Sequence, residues 1–349
     1  MPAPFVKAAG SALALLLLLA PLAQAGETRK ITTLEGERVD VPVNPGRIAC
    51  FYHPAYDKIA MLSRGSRIAL MPREASPWAY RFYPELKGVP TAAAGTVPDV
   101  ERLLKLKVDL VIYPKGHYDV SRIKQAGIAA ICPFNNDFVP SSPDRFNQEF
   151  KRQILFFGEL LGSDARIRAE SYCRYFDSIM TRVQAITSRI PESSKPKVYY
   201  GKATDLCSTQ GSNTNMRWYT ELAGGIYLPR QLPRYFAQVN LESILAWNPD
   251  IVLLGSYGAF NTPQRDFPAK TIKAYRTGRI YRIPAGAFYW DMTSCETALL
   301  PLFLAKKFHP ALFKDWDLVQ EMRKFYAEIY HIRLSPQDAE RILNGLGPV

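Results

Sequence analysis

The chain has 349 residues, enough for two domains at the usual ~100–200 residues each. With 47% hydrophobic and 22% charged residues it has a globular composition, which excludes a disordered or low-complexity chain. The formal charge of +12 allows a nucleic acid, a membrane surface or an anionic ligand as partner. The basic residues are scattered, however, and interleave with Tyr, Trp and Pro instead of forming a Lys/Arg-rich run, which argues against nucleic acid.

Lys7 precedes an apolar run from Ala12 to Ala20, and Ala23-Gln24-Ala25 follows as a small-x-small cleavage signal. This pattern predicts a secretory signal peptide over residues 1–25, with a soluble exported protein starting near Gly26. No cysteine follows the site, so a lipoprotein is not expected. Export permits disulfides, but five cysteines at irregular spacing are not a disulfide framework. Cys50 and Cys132 fall in predicted strands as small buried hydrophobes. Cys207 and Cys295 fall near predicted loops, where a bridge remains open.

In chain order, Glu27 to Pro45 reads as an extended lead-in with a plausible hairpin at T-L-E-G-E-R. Arg47–Phe51 reads as a strand, Tyr52-His53-Pro54 as a turn, and a helix follows to about Ser63. Arg67–Leu70 is a second strand. Pro72 to Pro90 is rich in proline and aromatics, and a stretch of that kind is either functional or packed on the body. Strands at Asp109–Tyr113 and Ala129–Cys132 flank a helix at Val120–Ala126. Strands alternating with helices imply a parallel sheet with crossover connections. Helical spacing runs from Asp144 to about Arg189, although Gly158 and Gly162-Ser163-Asp164 mark a possible kink or fresh start. A second alternating set begins at Lys197–Tyr200. It includes the polar loop from Gly201 to Asn215, a helix from Met216 to Ala223 closed by Gly224-Gly225, and a strand at Arg279–Ile283. Helices follow to the C-terminus.

An internal repeat organises the whole. V-P-D-V-E-R-L-L-K-L-K-V-D-L-V-I-Y-P, from Val97 to Pro114, matches V-N-L-E-S-I-L-A-W-N-P-D-I-V-L-L-G-S, from Val239 to Ser256. Glu101 aligns with Glu242 and Asp109 with Asp250. Each copy reads as a short amphipathic helix, a tight turn and a buried strand. Solenoid repeats recur at ~20–50 residues, so this wider spacing indicates two similar lobes with a cleft between them. The expected division is residues 26–142 for the first α/β lobe, 143–190 for a connecting helix and 191–349 for the second α/β lobe.

The strand opening P-x-R-I, the paired repeat units, E-L-A-G-G after the polar loop, G-R-I-Y and the long mid-chain helical stretch together resemble the periplasmic substrate-binding proteins of ABC importers for iron complexes and vitamin B12. The resemblance covers about Asn44 to Phe313. It implies two Rossmann-like α/β lobes with mainly parallel sheets, bridged by a long rigid α-helix, and a ligand held between them. It also implies a periplasmic monomer that delivers a small-molecule metal chelate to a permease dimer, with no intrinsic cofactor and no covalent chemistry. In that family a glutamate on each lobe docks onto permease arginines, a role that falls here on Glu101 and Glu242. The helix dipole alone would also favour both.

In open α/β sheets, ligands lie beyond the carboxyl ends of the strands. That rule selects Tyr52, His53, Trp78, Tyr113, Lys115 and His117 in the first lobe. In the second it selects Lys202, Tyr257, Tyr289 and Trp290, with Arg217 and Trp218 close by. Aromatic faces suit large apolar or delocalised ligands, and Arg or Lys neutralises anionic charge. The set therefore fits a ferric siderophore or a similar anionic metal chelate, with iron the expected metal. His53 and His117 could reach a metal left open by its chelator. Oxyanion (molybdate-type), haem or cobalamin binding by the same fold is the alternative. Another class is a secreted hydrolase, for which Asp205, Asp291 and Glu296 offer carboxylates but no motif spacing.

Overall fold

The computed structural model of the chain describes residues 27–92, 99–116, 119–135, 138–256 and 271–349. The expected leader, the start of the first repeat copy, His117 and Tyr257 lie outside the described residues. Strands β1 (Thr28–Thr32) and β2 (Arg38–Pro42) pair antiparallel as the expected hairpin.

The first lobe contains β3 (Ile48–Cys50), α1 (His53–Ser63), β4 (Ile68–Leu70), α2 (Pro77–Phe82), α3 (Val100–Lys105), β5 (Leu110–Ile112), α4 (Ser121–Gln125) and β6 (Ala129–Ile131). Its sheet is parallel, in the order β4-β3-β5-β6. The second contains β7 (Lys197–Lys202), β8 (Ser208–Gln210), α7 (Asn215–Leu222), β9 (Ile226–Tyr227), β10 (Phe236–Gln238), α8 (Leu241–Trp247), β11 (Ile251–Gly255), α9 (Lys273–Arg276) and β12 (Ile280–Arg282). Read from the corresponding edge its parallel sheet runs β9-β7-β11-β12, the same order of first, second, third and fourth strands. β8 and β10 form a separate antiparallel ribbon. Parallel strands covered on both faces carry continuous apolar runs, and β3, β4, β5 and β11 are buried throughout.

The repeat governs the amino-terminal end of both sheets. Asp99 caps α3 by accepting from the Glu101 N–H at 3.0 Å, and Asn240 caps α8 by accepting from the Ser243 N–H at 2.9 Å. Leu103 and Ile244 are the buried knobs. Lys107 and Asn248 both turn the chain through the left-handed region, at φ 53° and 41°. The Asp109 carboxylate then accepts from Gly46 N–H at 2.7 Å and Asp250 accepts from Lys197 N–H at 2.7 Å. Each aspartate thus fixes the entry of its lobe's first strand.

The stretch 143–190 holds two helices, α5 (Pro143–Leu161) and α6 (Ser163–Thr187), which pack on each other. Gly162, at φ 103°, is the break that its sequence left open. Gly158 permits the close approach, because a Cβ there would lie 2.6 Å from Ala169. α5 packs against α1 on one side and α7 on the other. Three further helices close the second lobe: α10 (Leu300–Phe308), α11 (Leu318–Phe325) and α12 (Pro336–Leu343). No described helix is long and apolar enough to cross a membrane.

Buried bonds also join the lobes directly. Tyr56 Oη donates to the Ala287 carbonyl at 2.8 Å, and Ser76 Oγ to the Gly286 carbonyl at 2.6 Å. Asp57 accepts from the Cys295 N–H at 2.7 Å and from Tyr330 Oη at 3.2 Å. One continuous apolar core runs through this seam, while each sheet keeps a smaller core of its own on the far face. All five cysteines carry free thiols, so Cys207 and Cys295 do not pair: Cys295 is buried in the seam and Cys207 is half-exposed.

Candidate functional site

An order of second, first, third and fourth strands places a topological switch point between the first and third strands, and ligands bind in the crevice beyond it. In the first lobe that crevice is open. Tyr52, the residue after β3 and Phe51, stands in it with its ring 4.8 Å from that of Phe134, which follows β6. The cavity there measures about 320 Å³ and opens to solvent. Tyr52, Phe134, Asn135, Phe138 and Pro140 form its first-lobe wall. Phe146, Glu149, Phe150 and Gln153 of α5 form its floor, at the i, i+3, i+4, i+7 spacing of one helix face. Asn213, Tyr235 and Thr293 close it from the second lobe.

Local sequence explains these positions. Ser142 caps α5 by accepting from Arg145 N–H at 3.2 Å, and Pro143 occupies its first turn, so the helix begins at the cleft. Thr293 sits at φ 58°, a strained conformation for a β-branched residue. Its carbonyl accepts from the buried Lys58 ammonium at 3.0 Å, which holds the turn in place.

Of the residues selected from the sequence, Tyr52 lines this cavity. His53 stands beside it at the start of α1, with its ring edge-on to Phe288 at 4.9 Å. Neither His53 ring nitrogen has a well-formed hydrogen bond among the described residues. Burial, helped by the charge of Arg73 and opposed by the nearby Glu74 backbone, lowers its pKa to about 3. The imidazole is therefore neutral, the state that ligates metals. Tyr289 is half-buried against Phe288 at 5.3 Å, in the seam.

The others stand elsewhere. Trp78 is fully buried in the core, stacked on Phe82, and its indole donates to the Leu346 carbonyl at 2.8 Å. A long aromatic stretch read as a binding loop is here a packed element, because α2 turns its rings inward. Trp218 and Trp290 are buried for the same reason, on α7 and in the loop that packs against Phe303. Arg217 is held by Glu221 at 3.1 Å and the Ser212 carbonyl at 3.1 Å. Lys115 pairs with Glu35 at 2.6 Å, facing the hairpin. Lys202 ends β7 in a tight turn with Asp205. Tyr113 packs against the first lobe's own core. Glu101 and Glu242 are exposed, each one residue into its helix, and the exposure of residues 101–110 matches that of 242–251 position by position.

The floor residues Phe146, Glu149, Phe150 and Gln153 escape a reading that places ligands only on loops. Their signal is an aromatic and polar stripe on a helix already expected to join the lobes. Phe134 follows a predicted strand, so the carboxyl-end rule reaches it too. Asn213, Tyr235 and Thr293 carry no local signal. In the second lobe the equivalent switch point is filled. Asp291 accepts from Tyr200 Oη at 2.8 Å, Ser256 N–H at 2.9 Å and Ser256 Oγ at 2.9 Å. A Cβ at Gly255 would sit 2.2 Å from Tyr200 Oη, so that strand end needs glycine. Among the described residues no three His, Cys, Asp or Glu side chains gather as a metal centre.

Residues 48–287 match the family model described as periplasmic binding protein, well over half of the chain. The molybdate-binding protein MolA of Haemophilus influenzae is 29% identical over 136 residues, which span 38% of this chain and 39% of that protein. The structure of that MolA bound to molybdate superposes with a TM-score of 0.75 at 20% identity, covering 88% of this chain and 99% of that one. A periplasmic solute-binding protein from Veillonella parvula gives 0.72 at 22% identity, covering 91% and 97%. Helicobacter pylori CeuE in a Ni-His complex gives 0.66 at 17% identity, covering 91% and 99%. At these identities the structures speak for the fold. The strand order, the cleft between two lobes and the extent of the family match lead to one conclusion: the chain belongs to the periplasmic binding protein family.

Proposed function

We propose that this protein captures a metal complex in the interlobe cleft and hands it to an ABC importer in the inner membrane. The observation that carries the reading is the cavity wall: Tyr52, Phe134, Phe138, Phe146, Phe150 and Tyr235 surround it with six aromatic rings. Rings cover the organic shell of a chelate. A bare oxyanion such as molybdate calls instead for Arg, Lys and backbone N–H groups, and no cation stands among the described lining residues. His53 stands beside the cleft as a neutral imidazole with both ring nitrogens buried, so in this state it backs the wall and does not face the ligand. Binding followed by docking needs no bond-making step. A hydrolase reading lacks support, because Asp291 and Glu296 are buried and consumed by internal hydrogen bonds, and Glu149 is the one carboxylate in the described lining.

Delivery follows from the repeat. Glu101 and Glu242 project from equivalent places on the two lobes, which suits a permease built of two like subunits. The leader over residues 1–25, cut after Ala25, carries the chain to the periplasm. Native mass spectrometry and metal analysis of protein purified from its periplasm should find a metal chelate and an N-terminus at Gly26. A retained bare oxyanion would sink the chelate reading. Reversing Glu101 and Glu242 to Arg together should abolish uptake while leaving chelate affinity unchanged, and normal uptake by that double mutant would refute the docking role.

A further inference from the structure

The described cavity lining holds no cation, although the chain is strongly basic. The protein carries a formal +12. Yet the one charged group among the described lining residues is the Glu149 carboxylate, on the floor of the cavity. Its side chain is 15% exposed. Arg152, more than half exposed, holds Oε2 at 2.7 Å. Oε1 is buried and accepts no hydrogen bond among the described residues. A buried acceptor without a donor is costly, and a carboxylate can only accept, so the Glu149 side chain gains by turning Oε1 from its buried position toward a donor that a ligand brings into the cavity. The buried Lys58 amine lies 5.6 Å from the Phe150 ring, outside the described lining, and donates to the Thr293 carbonyl.

The surroundings of Glu149 sharpen this. Phe146 and Phe150 flank it on the same face of α5, and Tyr52, Phe134, Phe138 and Tyr235 stand around them. The faces of aromatic rings attract cations. Rings around a carboxylate that keeps one oxygen without a donor make a receptor for an N–H-bearing or cationic group, in contrast to the anionic ligand that the net charge and the basic residues predict. Of the cations expected to neutralise an anionic ligand, Lys115 and Arg217 are spent on Glu35 and Glu221, and Lys202 does not line the cavity.

Resting on the reading of the cleft as a chelate site, we infer that the protein selects a metal complex with a positively charged or N–H-bearing arm, and that Glu149 accepts from that arm. Glu149 determines specificity among chelates and leaves the metal to its chelator.

Three ferric probes test this, with binding followed by tryptophan fluorescence in the mature protein. They are a trihydroxamate complex with a free primary ammonium arm, the same complex with that amine acetylated, and an anionic tris-catecholate complex. A charge-assisted hydrogen bond predicts a preference of about tenfold or more for the ammonium form over the acetylated one, with the catecholate weakest. Glu149→Gln, the same size and still able to accept, should bring the two trihydroxamates within about twofold of each other. Arg152→Gln, which frees Oε2, should widen the preference. Equal binding of the two trihydroxamates by the unsubstituted protein overturns the inference, as does a preference that survives E149Q or shrinks in R152Q. Thermal melting establishes that both variants are folded. If no ferric chelate binds while molybdate does, the chelate reading itself fails, an outcome separate from loss of charge preference.

Discussion

The two lobes share a strand order and a repeated helix–turn–strand, yet they treat their switch points in opposite ways. In the first lobe the crevice beyond β3 and β5 is left open, and Tyr52 stands in it as a wall. In the second, the crevice beyond β7 and β11 is plugged by Asp291, which collects hydrogen bonds from Tyr200 and Ser256. At the opposite end of the sheets the lobes agree in the position of the helix cap, the left-handed turn and the aspartate that fixes strand entry. The lesson is a division of labour within one fold. The amino-terminal ends of the strands preserve geometry, and the carboxyl-terminal ends diverge: one lobe leaves its crevice open, the other fills its own.

That contrast can be broken most severely at the plug. Asp291→Ala leaves the Tyr200 hydroxyl and the Ser256 donors unpaired in a buried space. It should lower unfolding stability by about 3 kcal/mol or more, read from urea denaturation. Tyr52→Ala at the open switch point loses a half-exposed ring pair with Phe134. It should cost only about 1 kcal/mol while weakening ligand binding. Equal stability losses in the two variants would erase the distinction between plug and open site.

His53 gives a pH handle on the same end of the first lobe. Its folded pKa of about 3 lies below the ordinary 6.5 of the unfolded chain. The unfolded state therefore binds the proton first. Stability is complete above about pH 6.5 and falls as pH drops toward 3, by up to about 1.4 kcal/mol per pH unit from this residue. Melting temperature measured between pH 7 and 4 should decline less steeply in His53→Phe than in the parent. Parallel profiles would show that the imidazole is not buried neutral.

The smallest effect tests the matching ends. Lys107 and Asn248 occupy equivalent left-handed turns, but asparagine tolerates that conformation better than lysine. Lys107→Gly should stabilise by up to about 1 kcal/mol, and Asn248→Gly by less. A larger gain at Asn248 would show that the two turns are not mechanically equivalent.

Much of this architecture was legible before any coordinates. The repeat marks two lobes because its apolar residues must face a core and its Asp-hydrophobic-hydrophobic run must enter a buried strand. Tyr52 follows from the strand that precedes it. Trp78, Trp218 and Trp290 misdirect, because an aromatic residue in a polar or proline-rich stretch looks available until packing shows which way it turns. Lys115 and Arg217 misdirect because their partners, Glu35 and Glu221, are settled only by folded geometry or by a helix whose register is known.

By itself the sequence determined the fold class and the two-lobed repeat: periodicity and capping residues are local and need no partner. Tertiary structure alone decided the rest of the candidate site. Glu149, Asn213, Tyr235 and Thr293 meet only because α5 crosses between the lobes and the second lobe folds over it. Which charged groups face the cleft was likewise decided there. Net charge sums every side chain, whereas a ligand meets only the few that line its cavity.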